Sequence, residues 1–292
     1  MRADDLDHAI ELANATSFGL TAGIQTLDDR EIARWIDRVE AGNLFVNRPI
    51  TGAIVRRQPF GGWKASSVGP GAKAGGPNYV LQLARWSQAT LPHRDDEPLP
   101  EPIAQRLARC LAELSGDDER ARVRASAASY ARAWRDHFSR EHDPSAIRGE
   151  SNVFRYRPCR RVIVRATTAR PEATAALAQV VLAASVTGVA LTVSLAPDSS
   201  PWAWMADCHG IDVVVEAEAG FVDRLLHSGN VERVRALTPI STAARAAATA
   251  AGVTVIDASV LANGRLELRW YLREQTVSRV LYRYGNVPAA YS

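Results

Sequence analysis

Lysine is nearly absent from this chain of 292 residues: of its 35 basic side chains only Lys64 and Lys73 are lysines. Arginine fills every other basic position, which speaks for a coding preference and against a surface selected to hold phosphates. No segment carries an excess of one sign. Residues 1–85 hold 10 basic and 9 acidic side chains, residues 86–150 hold 10 and 12, and residues 151–292 hold 15 and 11. Backbone binding to nucleic acid needs a local positive excess, so that partner class is excluded. Cysteine is scarce too. Cys110, Cys159 and Cys208 lie far apart, without C-x-x-C or zinc-type spacing, and read as reduced thiols that form no metal site. His137 and His142, with Asp136 and Asp143, fall near a helix end, where capping and solvated charge account for them without a metal. No run reaches the roughly 18 apolar residues of a membrane span. The longest, Ala173 to Val193, is interrupted by Gln179, Ser185, Thr187 and Gly188. The start, Met1 to Asp7, is acidic and lacks the apolar centre of a signal peptide. A G-x-G-x-x-G after a strand is missing as well. These absences predict a cytoplasmic chain with no membrane span and no dinucleotide fingerprint.

What is present is a 47% hydrophobic, 23% charged composition, enough for a sizeable core. Leu6, Ala9, Ile10 and Ala13 repeat at helical spacing, and Gly19 to Gln25 reads as a strand between glycines. Asp29 to Val39 predicts a helix with Ile32, Trp35, Ile36 and Val39 on one face, closed by Gly42, before a strand over Asn43 to Asn47. From Ser87 to Pro102 the composition shifts to Pro, Asp and Glu, which marks a linker. Helical patterns resume at Ile103, Leu107, Cys110 and Leu114, and again from Asp117 to Phe138. Beyond Gly149 strands and helices alternate: 161–166, 190–195, 212–216, 233–237 and 253–256 as strands, 171–187, 221–226 and 241–251 as helices. Such alternation predicts an α/β chain whose second part is a doubly wound, mostly parallel, Rossmann-like sheet.

The chain is organised around Asn43 to Lys64 and the glycine-rich tail to Gly76. Phe45-Val46-Asn47, Pro59-Phe60-Gly61-Gly62, Lys64, Ser67, Gly69 and Gly75-Gly76-Pro77 resemble the end of the catalytic domain of aldehyde dehydrogenases. The Thr51-Gly52-Ala53-Ile54-Val55 loop and Arg57-Gln58 narrow the resemblance to the glutamate-γ-semialdehyde (pyrroline-5-carboxylate) branch, as in bifunctional proline utilisation A proteins. It covers Leu6 to Trp86. Near the end, Asn263-Gly264-Arg265-Leu266-Glu267-Leu268, Arg273 to Ser278 and Arg283-Tyr284-Gly285-Asn286, with Gly149 to Asn152 and Arg155 to Pro158 earlier, resemble the closing motif of the long members. Arg273-Glu274 and Arg283-Tyr284 can also be read as an amphipathic helix.

This resemblance implies that residues 1–86 are the C-terminal part of an aldehyde dehydrogenase catalytic domain and 87–102 a linker. Residues 103–292 would then be a non-catalytic, aldehyde-dehydrogenase-like domain that helps cover the tunnel between the two active sites. It further implies that Gly52 and Ala53, with Thr51 beside them, anchor the carboxylate of glutamate semialdehyde, and that Phe60 walls the slot for its aldehyde chain. Small residues suit an anchor, since a carboxylate reaches main-chain donors only where no bulky side chain shields them. Gly69 to Gly76 and Lys64 are expected to be structural, Lys64 as a solvated turn residue. The family's catalytic cysteine, its base and its NAD-binding domain lie upstream of this segment, and none of Cys110, Cys159 or Cys208 has the Gly-Gln-x-Cys setting. Leu195-Ala196-Pro197 stands where the dehydrogenases have a Lys-Pro at the cofactor ribose, and Thr167-Thr168 where they have the oxyanion asparagine. Cys208 beside His209 cannot act as a pair, because neighbours in an extended segment point apart. The expectation is therefore a piece of a longer protein that uses NAD, with FAD in its proline dehydrogenase half. This chain alone would be inactive and bind neither cofactor, and its partner would be the rest of the dehydrogenase domain. The other reading left open is a non-catalytic lid for a separately encoded dehydrogenase.

Overall fold

The structure, a computed structural model, describes residues 2–67, 69–92, 98–166, 171–199 and 203–282. In chain order it runs α1 (Leu6–Asn14), β1 (Phe18–Gly19), β2 (Thr21–Ile24), α2 (Asp29–Arg38), β3 (Asn43–Val46), β4 (Trp63–Lys64), α3 (Glu101–Ala112) and α4 (Asp117–Ala133). There follow β5 (Glu150–Pro158), β6 (Arg161–Ala166), α5 (Pro171–Thr187), β7 (Ala190–Leu195), β8 (Ile211–Val215), α6 (Glu218–His227) and β9 (Arg233–Ala236). Last come α7 (Thr242–Ala250), β10 (Thr254–Ile256), α8 (Gly264–Glu267) and β11 (Leu272–Val280). Two compact units emerge, and they are not consecutive in sequence. The first joins residues 1–84, 140–157 and 273–292, the second residues 85–139 and 158–272. The units thus cross the linear division at residues 87–102.

In the first unit a four-stranded sheet has the order β2-β3-β11-β5. Strand β3 pairs in parallel with β2 on one side and with β11 on the other, Asn43 standing opposite both Thr21 and Thr276. Asp5 and Asp28 start α1 and α2 by accepting from the backbone N–H of His8 and Arg30. The apolar faces of these helices, with Ile10, Ile32 and Trp35, pack on Leu44 and Val46 of β3 and Val277 of β11. Each large side chain so buried contributes on the order of 2 kcal/mol. Helix α2 ends without its expected glycine: Val39 is its extended C-cap. Gly42 serves a different purpose, because a Cβ there would lie 2.1 Å from the Gly61 carbonyl oxygen. The carbonyls of the last turn of α2 are met by arginines of β5, Arg155 Nη2 donating to Ile36 O (2.8 Å) and Arg157 Nη2 to Asp37 O (3.0 Å).

The amphipathic-helix reading of Arg273-Glu274 is overturned, since both lie in strand β11. Arg283 to Asn286 fall outside the described residues, as do Thr167-Thr168.

The second unit is a five-stranded, wholly parallel sheet of order β10-β9-β6-β7-β8. Helices α6 and α7 pack over one cluster with Ile163, Val234 and Val253. Helix α5 packs against α3 and α4. The apolar run from Ala173 is thereby explained: Ala178 to Ala183 of α5 are buried on every side, and Gln179 is satisfied by Ser126 Oγ at 2.8 Å. Among the described residues no helix is long and apolar enough to cross a membrane.

Candidate functional site

The chain leaves β3 and turns at Asn47, whose backbone is left-handed (φ 55) and whose side chain accepts from Thr26 N at 3.0 Å. Residues 49–56 then run exposed and without regular structure. Gly52 requires its glycine, with φ +99 and open space where a Cβ would stand. The loop closes on itself where Gln58 N donates to Ile54 O at 2.7 Å. It is then tied to the glycine-rich tail: Arg56 N donates to Gly75 O at 3.0 Å. Phe60, half-buried, exchanges both backbone bonds with Ala74, at 3.0 and 2.9 Å. The loop is thus tied just past the expected anchor residues Thr51, Gly52 and Ala53, at Arg56 to Gly75, and the expected wall Phe60 is tied to Ala74. Arg57 forms an ion pair with Glu150 of β5, which links the Arg57-Gln58 marker to the Gly149-Glu150-Ser151-Asn152 motif.

Beneath this segment lies a buried polar network. Lys73 is 1% exposed, and its ammonium donates to Asn43 Oδ1 (2.8 Å) and to the Gly61 carbonyl. Its backbone N–H donates to Glu274 Oε2 at 2.7 Å. Asn78 Nδ2 donates to Glu274 Oε1 (2.8 Å) and to the Tyr156 hydroxyl (2.9 Å), and Thr276 Oγ1 donates to Asn43 Oδ1 (3.1 Å). The Glu274 carbonyl accepts from Trp63 Nε1 at 2.8 Å, and Arg273 covers that indole at 4.0 Å. Burial brings the Lys73 ammonium down from 10.5 to about 7, an effect the Glu274 carboxylate opposes.

Sequence reasoning missed Lys73. The available signal was its rarity, because a lysine in a chain that otherwise uses arginine marks a position where a guanidinium does not serve. Lys64 is corrected as well: it is no solvated turn residue but donates from Nζ to Asn14 O (2.6 Å) and Thr16 O (3.1 Å) and pairs with Glu40 (3.3 Å).

All three cysteines belong to the second unit and are buried. The Cys110 thiol is pushed up to about 12 by burial, so no ready thiolate resides there. Cys208 Sγ lies 3.3 Å from Trp204 O and 3.8 Å from Arg109 Nη1. Among the described residues no group of three or more His, Cys, Asp or Glu could hold a metal ion. At the C-terminal edge of the parallel sheet, where such folds usually bind ligands, the polar groups hold one another. Arg165 Nη1 donates to Ser194 Oγ (3.0 Å) and Glu216 O (3.2 Å), its guanidinium stacks 4.8 Å from the Phe221 ring, and Arg224 Nε donates to both Glu216 carboxylate oxygens (3.1 and 3.0 Å).

Comparison with known proteins gives the class first: residues 1–88 match the profile of the Aldehyde dehydrogenase family. Narrower relatives follow. The chain is 42% identical over 125 residues to "Bifunctional protein PutA" of Rhizobium meliloti, covering 43% of this chain and 10% of that protein. It is 46% identical over 80 residues to "1-pyrroline-5-carboxylate dehydrogenase" of Bacillus subtilis, covering 27% of this chain and 15% of that one. The solved structure of Proline Utilization A (PutA) from Corynebacterium freiburgense superposes on 98% of this chain with a TM-score of 0.73 and 37% identity, over 25% of its own length. The chain therefore spans a quarter or less of these relatives, and it is consistent with a C-terminal part of a PutA, as its motifs suggested.

Proposed function

We propose that this chain is the C-terminal portion of an NAD-dependent L-glutamate γ-semialdehyde dehydrogenase of proline catabolism, which in the complete protein oxidises the semialdehyde to glutamate. Residues 1–86 belong to the catalytic domain, with β5 and β11 completing their sheet, and the rest of residues 103–292 forms its non-catalytic, aldehyde-dehydrogenase-like companion. The observation that carries the reading is the exposed 51–55 loop, tied just past its end by Arg56 to Gly75, with Phe60 tied to the adjoining Ala74. In this reading the Gly52 and Ala53 backbone binds the substrate carboxylate, Thr51 flanks it, and Phe60 orients the aldehyde chain and keeps water from it.

The acceptor of the hydride is NAD, held by the remainder of the complete protein, whose proline dehydrogenase half uses FAD. In this reading the parallel sheet of this chain holds no dinucleotide: the sequence after β6 carries no glycine-rich turn, and Arg165, Ser194 and Glu216 are hydrogen-bonded to one another. We therefore assign no cofactor to residues 1–292, no catalytic residue among them, and a cytoplasmic location to the protein.

The test is Ala53→Leu in the complete enzyme. KM for glutamate semialdehyde should rise at least about tenfold, the loss of one charge-assisted hydrogen bond, while turnover of a small uncharged aldehyde is spared. Equal loss with both substrates would sink the anchor assignment. Residues 1–292 alone should neither reduce NAD with the semialdehyde nor bind it saturably by calorimetry. Turnover abolished by Cys208→Ser would instead make the second unit an enzyme.

A further inference from the structure

We propose that Lys73 is a positioning residue for the aldehyde chain of the substrate, because its ammonium fixes the turn that carries Phe60 by clamping the Gly61 carbonyl to Asn43 of β3. The inference rests on the reading of Phe60 and the 51–55 loop as substrate-binding. Its geometry is local and complete. Gly61 O accepts from the Lys73 ammonium and from Asn43 Nδ2 (3.2 Å), so the carbonyl one residue beyond Phe60 is held from two directions. Gly61 Cα must also pass close to Lys73, whose Cγ and Cα lie 3.2 and 3.3 Å from where a Cβ would be. A side chain at position 61 would crowd Lys73, so the glycine keeps this approach close. The residues after Lys73 carry the rest: Ala74 pairs with Phe60, and Gly75 receives Arg56. The lysine side chain thus holds the turn after Phe60, its neighbours Ala74 and Gly75 hold Phe60 and Arg56 by backbone bonds, and the Glu274 carboxylate holds the same lysine by its backbone N–H.

A purely cohesive lysine could sit anywhere in the core; this one donates to the backbone carbonyl next to Phe60 and to the Asn43 side chain that holds the same carbonyl. A hydrogen bond from a buried Nζ donor, as ammonium or as amine, is worth enough to hold such a turn in one geometry. The alternative partner for its charge is absent from the ammonium itself, whose two described acceptors are an amide oxygen and a carbonyl.

The experiment compares Lys73→Met and Lys73→Gln with wild type in the full-length polypeptide that carries this chain. Amide hydrogen exchange is followed at Phe60, Ala74 and Arg56, and KM and kcat are measured with glutamate semialdehyde. Thr276→Val, which removes a hydroxyl from Asn43 but leaves the clamp, is the control. For Lys73→Met, exchange at the three amides should quicken about tenfold, and KM should rise about tenfold with kcat within about twofold. Lys73→Gln should fall between, and Thr276→Val should leave both readings near wild type. Unchanged exchange at the three amides in both Lys73 variants overturns the clamp. Faster exchange with KM unchanged overturns the positioning role while leaving the functional reading intact. A wild type without semialdehyde turnover overturns the functional reading itself, and the substrate role of Lys73 with it. A Lys73→Met that does not fold transfers the decision to Lys73→Gln, judged by the same three amides.

Discussion

Replacing Lys73 by methionine should change how stability depends on pH above neutrality. The side chain is buried, and its ammonium is brought from 10.5 down to about 7. At about 1.4 kcal/mol for each tenfold change in proton affinity, the charged form is disfavoured by about 5 kcal/mol. Below pH 7 both folded and unfolded chains carry the proton, so the whole cost is present. Between pH 7 and 10.5 the unfolded chain holds the proton that the folded chain has released, so stability rises with pH. Above 10.5 neither holds it, and the cost is gone. Between pH 6 and pH 9 the wild type should gain about 3 kcal/mol from this residue alone. Lys73→Met has no such group, and other titrations cancel in the difference between the two proteins. Urea denaturation at pH 6, 7, 8 and 9 reads that difference directly. Curves for the two proteins that run parallel within about 0.5 kcal/mol over this range would refute the argument, and would mean that water or a conformational shift keeps the ammonium solvated.

Glu267→Gln should cost about 3–5 kcal/mol in chemical denaturation, since Glu267 and Arg235 are both 0% exposed and the guanidinium would be left without its counter-charge; a loss under about 1 kcal/mol would contradict a buried pair and match an exposed one. Gly42→Ala should destabilise by about 1–3 kcal/mol, because its Cβ would stand 2.1 Å from Gly61 O, and a neutral result would mean that the turn yields freely. Cys110, with its thiol pushed up to about 12 by burial, should resist iodoacetamide at pH 8 until the chain is unfolded; prompt labelling of the native chain, read by mass spectrometry, would contradict its burial.

The parallel strands were legible because Val162-Ile163-Val164 is a short continuous apolar run, as strands covered on both faces are, and Leu191, Val193 and Leu195 recur at every second position. Helix α5 was legible to the residue for the same reason and for its proline at the start. Strand β11 was not. Glu274, Gln275, Thr276 and Ser278 are buried there, and a run of polar residues gives no strand signal unless their partners are known. Those partners, Lys73, Asn78, Asn43 and Ala41 O, lie about 200 residues or more away in the sequence. The irregular course of the 51–55 loop and the turn at Phe60 could be read from the sequence, because glycine and a proline-bounded turn write backbone geometry into it. Lys73 could not, since burial of a single cation depends on which strands close over it.

The position of β11 between β3 and β5 also dictates an order of events while the chain is being made. Thr276, whose hydroxyl donates to Asn43, is polymerised 233 residues after it. At about 5–20 residues per second, β3 waits on the order of 10 to 50 s for its neighbour. During that interval its inner edge is an open row of backbone donors and acceptors, available to any other extended segment. Folding of the first unit thus cannot finish domain by domain from the N-terminal side. It is gated by the emergence of β11, and substitutions that weaken β11 should first show as poor yield during synthesis, before any change in the activity of molecules that have folded.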